Sequence, residues 1–311
     1  MSFKRRHLLG LEELDAGEIM TILETTKVFR EVLDRPIKKV APLQGMTVVN
    51  LFFEPSTRTR LSFELAEKRL SADIVNFTSA TSSVKKGETL KDTVRNIEAM
   101  KIHMIVIRHA SSGAPWFLTR FCEAKVINAG DGQHEHPTQG LLDLFSIWQR
   151  YGSFEGLRVV LMGDAKHSRV IRSNIWGLRK LGASVAVCGP PTLLPVELEK
   201  MGVDVYTNVD AALDGADVVN VMRIQLERQK ARLLPSLREF TTLFGITRER
   251  LKRLNKNYTI MHPGPINRGI EMSSEVADGD HSIILDQVTN GVAVRMAVLY
   301  LLAGGEKRDD S

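Results

Sequence analysis

The run Met46-Thr47-Val48-Val49-Asn50-Leu51-Phe52-Phe53 narrows what this chain can fold into. It is apolar and β-branched enough for a strand buried on both faces, and Pro55 stops it. Directly afterwards the period of the apolar pattern changes. Leu61, Leu65, Ala66 and Leu70 share one helical stripe, while Glu64, Glu67, Lys68 and Arg69 fall mostly elsewhere. The junction reads Glu54-Pro55-Ser56-Thr57-Arg58-Thr59-Arg60. Ser56 or Thr57 can cap the helix, whose first-turn N–H groups have no intrahelical partners. A Ser-Thr pair before a helix is by itself only a cap. Two arginines in the same turn oppose the helix dipole unless an anion compensates them, and Arg58 can offer a planar, two-pronged contact. The junction therefore points to a doubly charged anion.

The rest of the chain repeats this strand-to-helix grammar. Residues 16–34 carry helical periodicity, Asp73 to Phe77 and Ile102 to Ile107 read as strands, and a helix runs from near Leu90 to Met100. In the second half Leu157 to Gly163 is a strand entering a glycine turn, followed by a helix over 168–181 and strands at Ser184 to Cys188, Asp217 to Val221 and Tyr258 to Met261. A helix over 136–150 can bridge the halves, and an apolar helix from about Asn290 to Leu302 closes the chain. The fold expected is α/β, with two Rossmann-like α/β domains, parallel sheets and an active site in the interdomain cleft. The first domain takes residues 1–135, with the C-terminal helix at about 290–311 packing back on it, and the second takes 136–289.

Bulk composition sets limits. The 311 residues, 43% hydrophobic and 25% charged, suffice for two ordinary cores, and the charge of +5 suits anionic substrates. Basic residues are spread through both halves and interleaved with acids. Lys4-Arg5-Arg6 lacks the neighbouring aromatics of a stacking platform, so no nucleic-acid partner is expected. Cys122 and Cys188 make no metal or redox pair, no run approaches membrane-spanning length, and no signal-peptide pattern opens the chain, so a cytoplasmic protein is expected.

Polar groups recur just beyond strands: Arg108 and His109; His134, His136 and Gln139; Arg223 and Gln225; and His262-Pro263-Gly264-Pro265. The carboxyl ends of strands in open α/β sheets commonly meet at a ligand crevice. The turn Gly163-Asp164-Ala165-Lys166-His167-Ser168-Arg169 lacks the spacing Gly-x-Gly-x-x-Gly, so no nicotinamide cofactor is expected. Its basic residues suit a small anion, and an exposed loop remains the plainer reading. Asp131, His134 and His136 lack a well-specified metal set, and Arg108 is an awkward neighbour for a cation. His136 can donate to an oxygen or serve as a structural cap. The polar segment Ser79 to Gly87 is either a charged surface loop or a cover that brings Ser82 and Lys86 to an anion.

Together these segments resemble the catalytic chains of the aspartate/ornithine carbamoyltransferase family over nearly the whole length. The resemblance is carried by Phe53-Glu54-Pro55-Ser56-Thr57-Arg58-Thr59-Arg60, Val84-Lys85-Lys86-Gly87-Glu88-Thr89, His136-Pro137-Thr138-Gln139 and His262-Pro263-Gly264-Pro265. His-Pro-Thr-Gln with Arg223-Ile224-Gln225 favours the aspartate branch. The ornithine branch is expected to carry His-Cys-Leu-Pro late in the chain.

The resemblance implies that the first domain binds carbamoyl phosphate and the second L-aspartate, giving N-carbamoyl-L-aspartate and phosphate for pyrimidine biosynthesis without a cofactor. It implies phosphate contacts from Ser56, Thr57, Arg58, Thr59 and Arg108, with Thr59, Arg108 and His136 around the carbamoyl oxygen. Gln139 and the Pro263-Gly264 backbone would lie near the carbamoyl amide. Arg169, Arg223 and Gln225 would hold the aspartate carboxylates. Ser82 and Lys86 would come from a neighbouring subunit, Lys86 also reaching a carboxylate, which implies a homotrimer with shared sites. Regulatory chains or other pathway enzymes are further partners the resemblance allows. Gly264 departs from the leucine of some family members, so cooperativity does not carry over. A carbamoyltransferase for another amino acid or amine, and a non-catalytic phosphate-binding assembly protein, are the alternatives.

Overall fold

The structure, a computed structural model, describes residues 3–78, 88–225, 233, 236–254 and 258–304. It divides into two compact units, residues 1–142 with 289–311, and residues 143–288. Each is α/β around a wholly parallel sheet.

In the first unit, α1 (Ala16–Asp34) opens with a reciprocal cap: Asp15 accepts from the Glu18 N–H while the Glu18 side chain accepts from the Asp15 N–H. The chain then runs β1 (Thr47–Phe52), α2 (Thr57–Arg69), β2 (Asp73–Thr78), α3 (Leu90–Glu98), β3 (Met104–His109), α4 (Ala114–Thr119), β4 (Lys125–Asp131) and α5 (Pro137–Tyr151). Among the described residues the sheet order is β2-β1-β3-β4. The second unit continues with β5 (Arg158–Met162), α6 (Arg169–Lys180), β6 (Ser184–Cys188), β7 (Asp204–Tyr206), α7 (Val209–Leu213), β8 (Val218–Val221), α8 (Leu237–Phe244), α9 (Arg248–Arg253), β9 (Thr259–Met261), α10 (Ser274–Ala277) and α11 (Ile284–Ala303), in sheet order β7-β6-β5-β8-β9.

Both sheets reverse direction of growth once. The first starts at β1, adds β2 on one side and β3 on the other; the second starts at β5, adds β6 on one side and β8 on the other. At such a switch point the loops leaving neighbouring strands turn apart and leave room for a ligand at the carboxyl edge.

The change of unit falls inside α5, between Leu142 and Asp143, the helix that the sequence reads as able to bridge the halves although the domain boundary is drawn before it at 135/136. From Thr289 onward α11 belongs to the first unit, where Tyr300 meets Phe29 edge-on at 5.5 Å and Arg295 lies over the Phe63 ring at 5.1 Å. Its opening residues 284–289, which the sequence left outside the helix, include the exposed Leu285 and Val288. No helix among the described residues is long and apolar enough to cross a membrane.

One core group of the first unit carries a pH dependence. Glu67 on α2 is fully buried and accepts from Asn50 Nδ2 at 2.8 Å, and burial pushes its carboxyl up to about 8. The folded chain then holds this proton where the unfolded chain, with its ordinary carboxyl, has lost it. The stability tied to Glu67 is present at acid pH and drains away as pH rises towards 8. Glu67→Gln keeps the oxygen that Asn50 donates to and removes the titration. We expect Tm at pH 8 to rise by several degrees over the parent, with little change near pH 4. Parallel Tm curves for the two proteins across this range would contradict the assignment.

Candidate functional site

The residues singled out in the first unit leave three adjacent strands, β1, β3 and β4, at their carboxyl ends. Ser56 occupies the N-cap of α2, yet among the described residues its side chain makes no capping hydrogen bond, so the capping that Ser56 could supply is not used. The first turn of α2 is Thr57-Arg58-Thr59-Arg60 and contains no acid. Thr57 and Arg58 are exposed, Thr59 is buried, and Arg60 leans back on Glu64 at 3.4 Å. Donors and positive charge thus accumulate at the positive end of a helix, the arrangement that favours an oxyanion.

Arg108 faces the same edge from β3. Phe53 N–H donates to the Arg108 carbonyl at 2.9 Å, extending the pairing of β1 with β3 past the strand end. The Arg108 guanidinium lies 3.3 Å from the Glu54 carboxylate and donates to the Ala129 carbonyl at 3.1 Å. Its orientation is therefore set from the β1 exit on one side and from β4 on the other. Nothing in a single-sequence reading marks Glu54 as this partner, since the contact depends on strand register.

The turn from β4 to α5 is tied by Asp131, which accepts from Gly113 N–H at 2.7 Å and Asn128 Nδ2 at 2.8 Å and meets His134 Nδ1 at 3.2 Å. Burial alone would raise the Asp131 carboxyl, but these hydrogen bonds outweigh it and hold it below the usual range. The same contact raises His134. The knot fixes His136, which is 5% exposed and whose carbonyl accepts from Gln139 N–H and Gly140 N–H at the start of α5. Ligand atoms of Glu12, His134 and Glu135 lie within 4.8 Å of one another. The Glu135 carboxylate already accepts from Leu11 N–H and Glu12 N–H at 2.8 and 3.1 Å, so this cluster reads as a fastening of the amino-terminal segment.

In the second unit the residues singled out follow β5, β8 and β9, again adjacent strands. Arg169, 3% exposed, is the first residue of α6, whose first turn also contains no acid; Ser168 Oγ accepts from Ile171 N–H at 3.3 Å as the cap. In the preceding loop His167 Nδ1 sits 2.8 Å from Asp164, while Lys166 is exposed. Arg223 and Gln225, both half-buried, come directly after β8. Pro263 and Gly264 follow β9, and Gly264 lies at φ +68, a region glycine enters without strain. Ser82 and Lys86 lie outside the described residues.

Comparison with known proteins agrees with this division. Residues 6–149 match the family described as aspartate/ornithine carbamoyltransferase, carbamoyl-P binding domain, and residues 155–302 match the aspartate/ornithine carbamoyltransferase, Asp/Orn binding domain. The chain belongs to the aspartate/ornithine carbamoyltransferase family. Within it, an aspartate carbamoyltransferase catalytic subunit of Gemmatimonas aurantiaca is 61% identical over 301 residues, covering 97% of this chain and 94% of that protein. Among solved structures, the catalytic subunit of M. jannaschii aspartate transcarbamoylase is 35% identical with a TM-score of 0.83, over 98% of this chain and 100% of that one. Ornithine carbamoyltransferase from Pyrococcus furiosus superposes as well, with a TM-score of 0.86 at 30% identity, over 99% of this chain and 100% of that one. Backbone shape is thus shared with solved members of both branches and does not by itself separate them.

The exits of β5 and β8 are packed backbone to backbone. Met222 N–H donates to the Met162 carbonyl at 2.7 Å, and Gly163, at φ +118, leaves only 2.7 Å between the place of a Cβ and the Met222 carbonyl. Gly163→Ala strains that conformation and pushes the β8 exit, with Arg223 one residue beyond, so we expect a loss of about 1–3 kcal/mol in urea unfolding. An unchanged midpoint and slope would show that the exit yields without cost.

Proposed function

We propose that the protein is the catalytic chain of an aspartate carbamoyltransferase, moving the carbamoyl group of carbamoyl phosphate to the amine of L-aspartate in pyrimidine biosynthesis. The observation that carries this reading is the match of both halves to the family's carbamoyl-P and Asp/Orn binding domains, joined to 61% identity with a relative named for aspartate. A Trypanosoma cruzi aspartate transcarbamoylase solved in complex with carbamoyl phosphate and aspartate shares the fold at a TM-score of 0.85 and 30% identity, over 96% of this chain and 97% of that one.

In this reading Ser56, Thr57, Arg58, Thr59 and Arg108 hold the phosphate; Thr59, Arg108 and His136 surround the carbamoyl oxygen; and Gln139 with the Pro263-Gly264 backbone receives the carbamoyl amide. Arg169, Arg223 and Gln225 take the aspartate carboxylates. The neutral amine attacks the carbamoyl carbon, a C–N bond forms, negative charge gathers on the oxygen, and the C–O bond to phosphate breaks. The departing phosphate accepts the amine proton, so no histidine base is needed. Donors already aimed at the growing charge lower the barrier, each worth roughly 3 kcal/mol in comparable sites. Alignment of the two reactants and exclusion of water supply the remainder. The same reading makes the protein a cytoplasmic homotrimer whose sites are completed by Ser82 and Lys86 of a neighbour, and it leaves room for regulatory chains or other pathway enzymes.

Phosphate release measured with carbamoyl phosphate and a panel containing L-aspartate and L-ornithine, with identification of the carbamoylated product, tests the assignment. We expect release only with L-aspartate. Turnover of L-ornithine alone, or binding of phosphate compounds without acceptor-dependent release, would replace this reading with the other branch or with a binding protein. Arg58→Ala should abolish most phosphate recognition, and near-normal turnover would remove Arg58 from the site. Arg223→Ala should raise KM for L-aspartate by roughly 10- to 100-fold, the worth of one or two charge-assisted hydrogen bonds, while leaving carbamoyl phosphate saturation little changed. Unaltered aspartate saturation would count against its role.

A further inference from the structure

Three segments of the second unit to which the functional reading assigns ligand contacts, those of Arg169, Arg223 and Pro263-Gly264, are tied to one buried carboxylate. Asp143 is 0% exposed on α5. Its Oδ2 accepts from Asn174 Nδ2 at 2.8 Å and from Asn220 Nδ2 at 3.1 Å, and its Oδ1 accepts from Gln287 Nε2 at 2.8 Å. Asn174 stands on α6, the helix begun by Arg169. Asn220 stands on β8, three positions before Arg223. Gln287 leads to the third loop.

Because Gln287 donates its amide N–H to Asp143, its oxygen must face the other way, and it accepts from His262 N–H at 2.9 Å. The His262 ring then accepts from Gly264 N–H at Nδ1, 2.8 Å away, and turns Nε2 to the Glu271 carboxylate at 3.3 Å. An Nδ1 that accepts carries no proton, so the proton of the neutral ring sits on Nε2 and faces Glu271. The carboxylate, which can only accept, fixes which way the Gln287 amide faces and so sets an acceptor against His262 N–H, while the tautomer of the His262 ring is set by Gly264 N–H and Glu271.

We propose that Asp143 is a positioning residue that fixes the Pro263-Gly264 backbone, and with it the β8 exit and α6, in the arrangement needed for carbamoyl transfer. The proposal rests on the functional reading for the meaning of that arrangement, but its structural part can be measured alone. Asp143 touches no substrate in this scheme. Its role is carried by the direction of hydrogen bonds, and direction can be reversed without changing volume.

Asp143→Asn, keeping its oxygen toward Asn174 and Asn220, must present its NH2 to Gln287. The Gln287 amide then has to turn over, setting its NH2 against His262 N–H. Gln287→Glu alone sets two carboxylates face to face. The pair together restores the pattern, because the carboxylate introduced at position 287 accepts both from the amide introduced at position 143 and from His262 N–H. The experiment compares the full-length parent, D143N, Q287E and D143N/Q287E by amide hydrogen exchange of the 262–270 segment and by steady-state kinetics with carbamoyl phosphate and L-aspartate. Inorganic phosphate binding and circular dichroism at the assay temperature serve as controls.

We expect exchange at Gly264 to speed up about 10-fold or more in each single variant. Their kcat should fall by roughly 10- to 100-fold, as expected of sub-ångström misplacement. Phosphate affinity should stay within about twofold of the parent, as for unlinked sites, and the double variant should recover both exchange and kcat. Singles that exchange and turn over like the parent overturn the proposal. So does a double variant that regains Tm without regaining Gly264 protection, or a loss of kcat matched by loss of folded protein. A parent that turns over no L-aspartate defeats the functional reading instead, and the exchange data still decide whether Asp143 positions the loop.

Discussion

An arginine in the first turn of a helix stands against the helix dipole, and among the described residues two helices, α2 and α6, place arginines there with no acid in the same turn. α2 begins Thr57-Arg58-Thr59-Arg60 and α6 begins Arg169-Val170-Ile171-Arg172, neither with an acid to offset the charge. α1, α3 and α8 instead place an acid in the first turn under a side-chain cap. The two exceptions stand at the switch points of their sheets, where a ligand has room to approach. Unpartnered by anions, such helix starts are less favourable than ordinary ones. In the proposed function a phosphate meets one of these helix starts and a carboxylate the other, and each anion offsets the charge placed there.

The remaining structure holds those cations still. Arg108 is fixed by Glu54 and by the Ala129 carbonyl, the β4 exit is knotted by Asp131, and the β5 and β8 exits touch at Gly163 and Met222. Asp143 performs the corresponding task for the acceptor side through amide side chains. Each device replaces water, which would have to reorganise during reaction, with groups already oriented by the fold.

How much of this was legible depended on distance along the chain. Strands β1, β2, β5, β6 and β8 and helices α1 and α2 announce themselves through apolar period alone. β4 does not: Asn128, Ala129 and Gly130 interrupt the run, and Asn128 is tolerated in the core only because it bonds the Leu9 carbonyl, far away in sequence, as well as Asp131. The arginines at helix starts were legible because the conflict with the dipole is local. The long-range contacts that aim Arg108 and tie the second unit's loops were not. Glu54 meets Arg108 through strand register, and Asp143 meets Gln287 across 144 positions. Ser56 shows the converse, since a residue able to cap stands at the N-cap without making a capping bond among the described residues.

The most direct measurement is a crystal structure with N-(phosphonacetyl)-L-aspartic acid, the compound bound in one of the Trypanosoma cruzi structures that share this fold. The account predicts the phosphonate at the start of α2 within hydrogen-bonding distance of Arg58 and Arg108, and the carboxylates at Arg169 and Arg223. A bound ligand with Arg58 and Arg108 remote from the phosphonate, or Arg169 and Arg223 remote from the carboxylates, would contradict it.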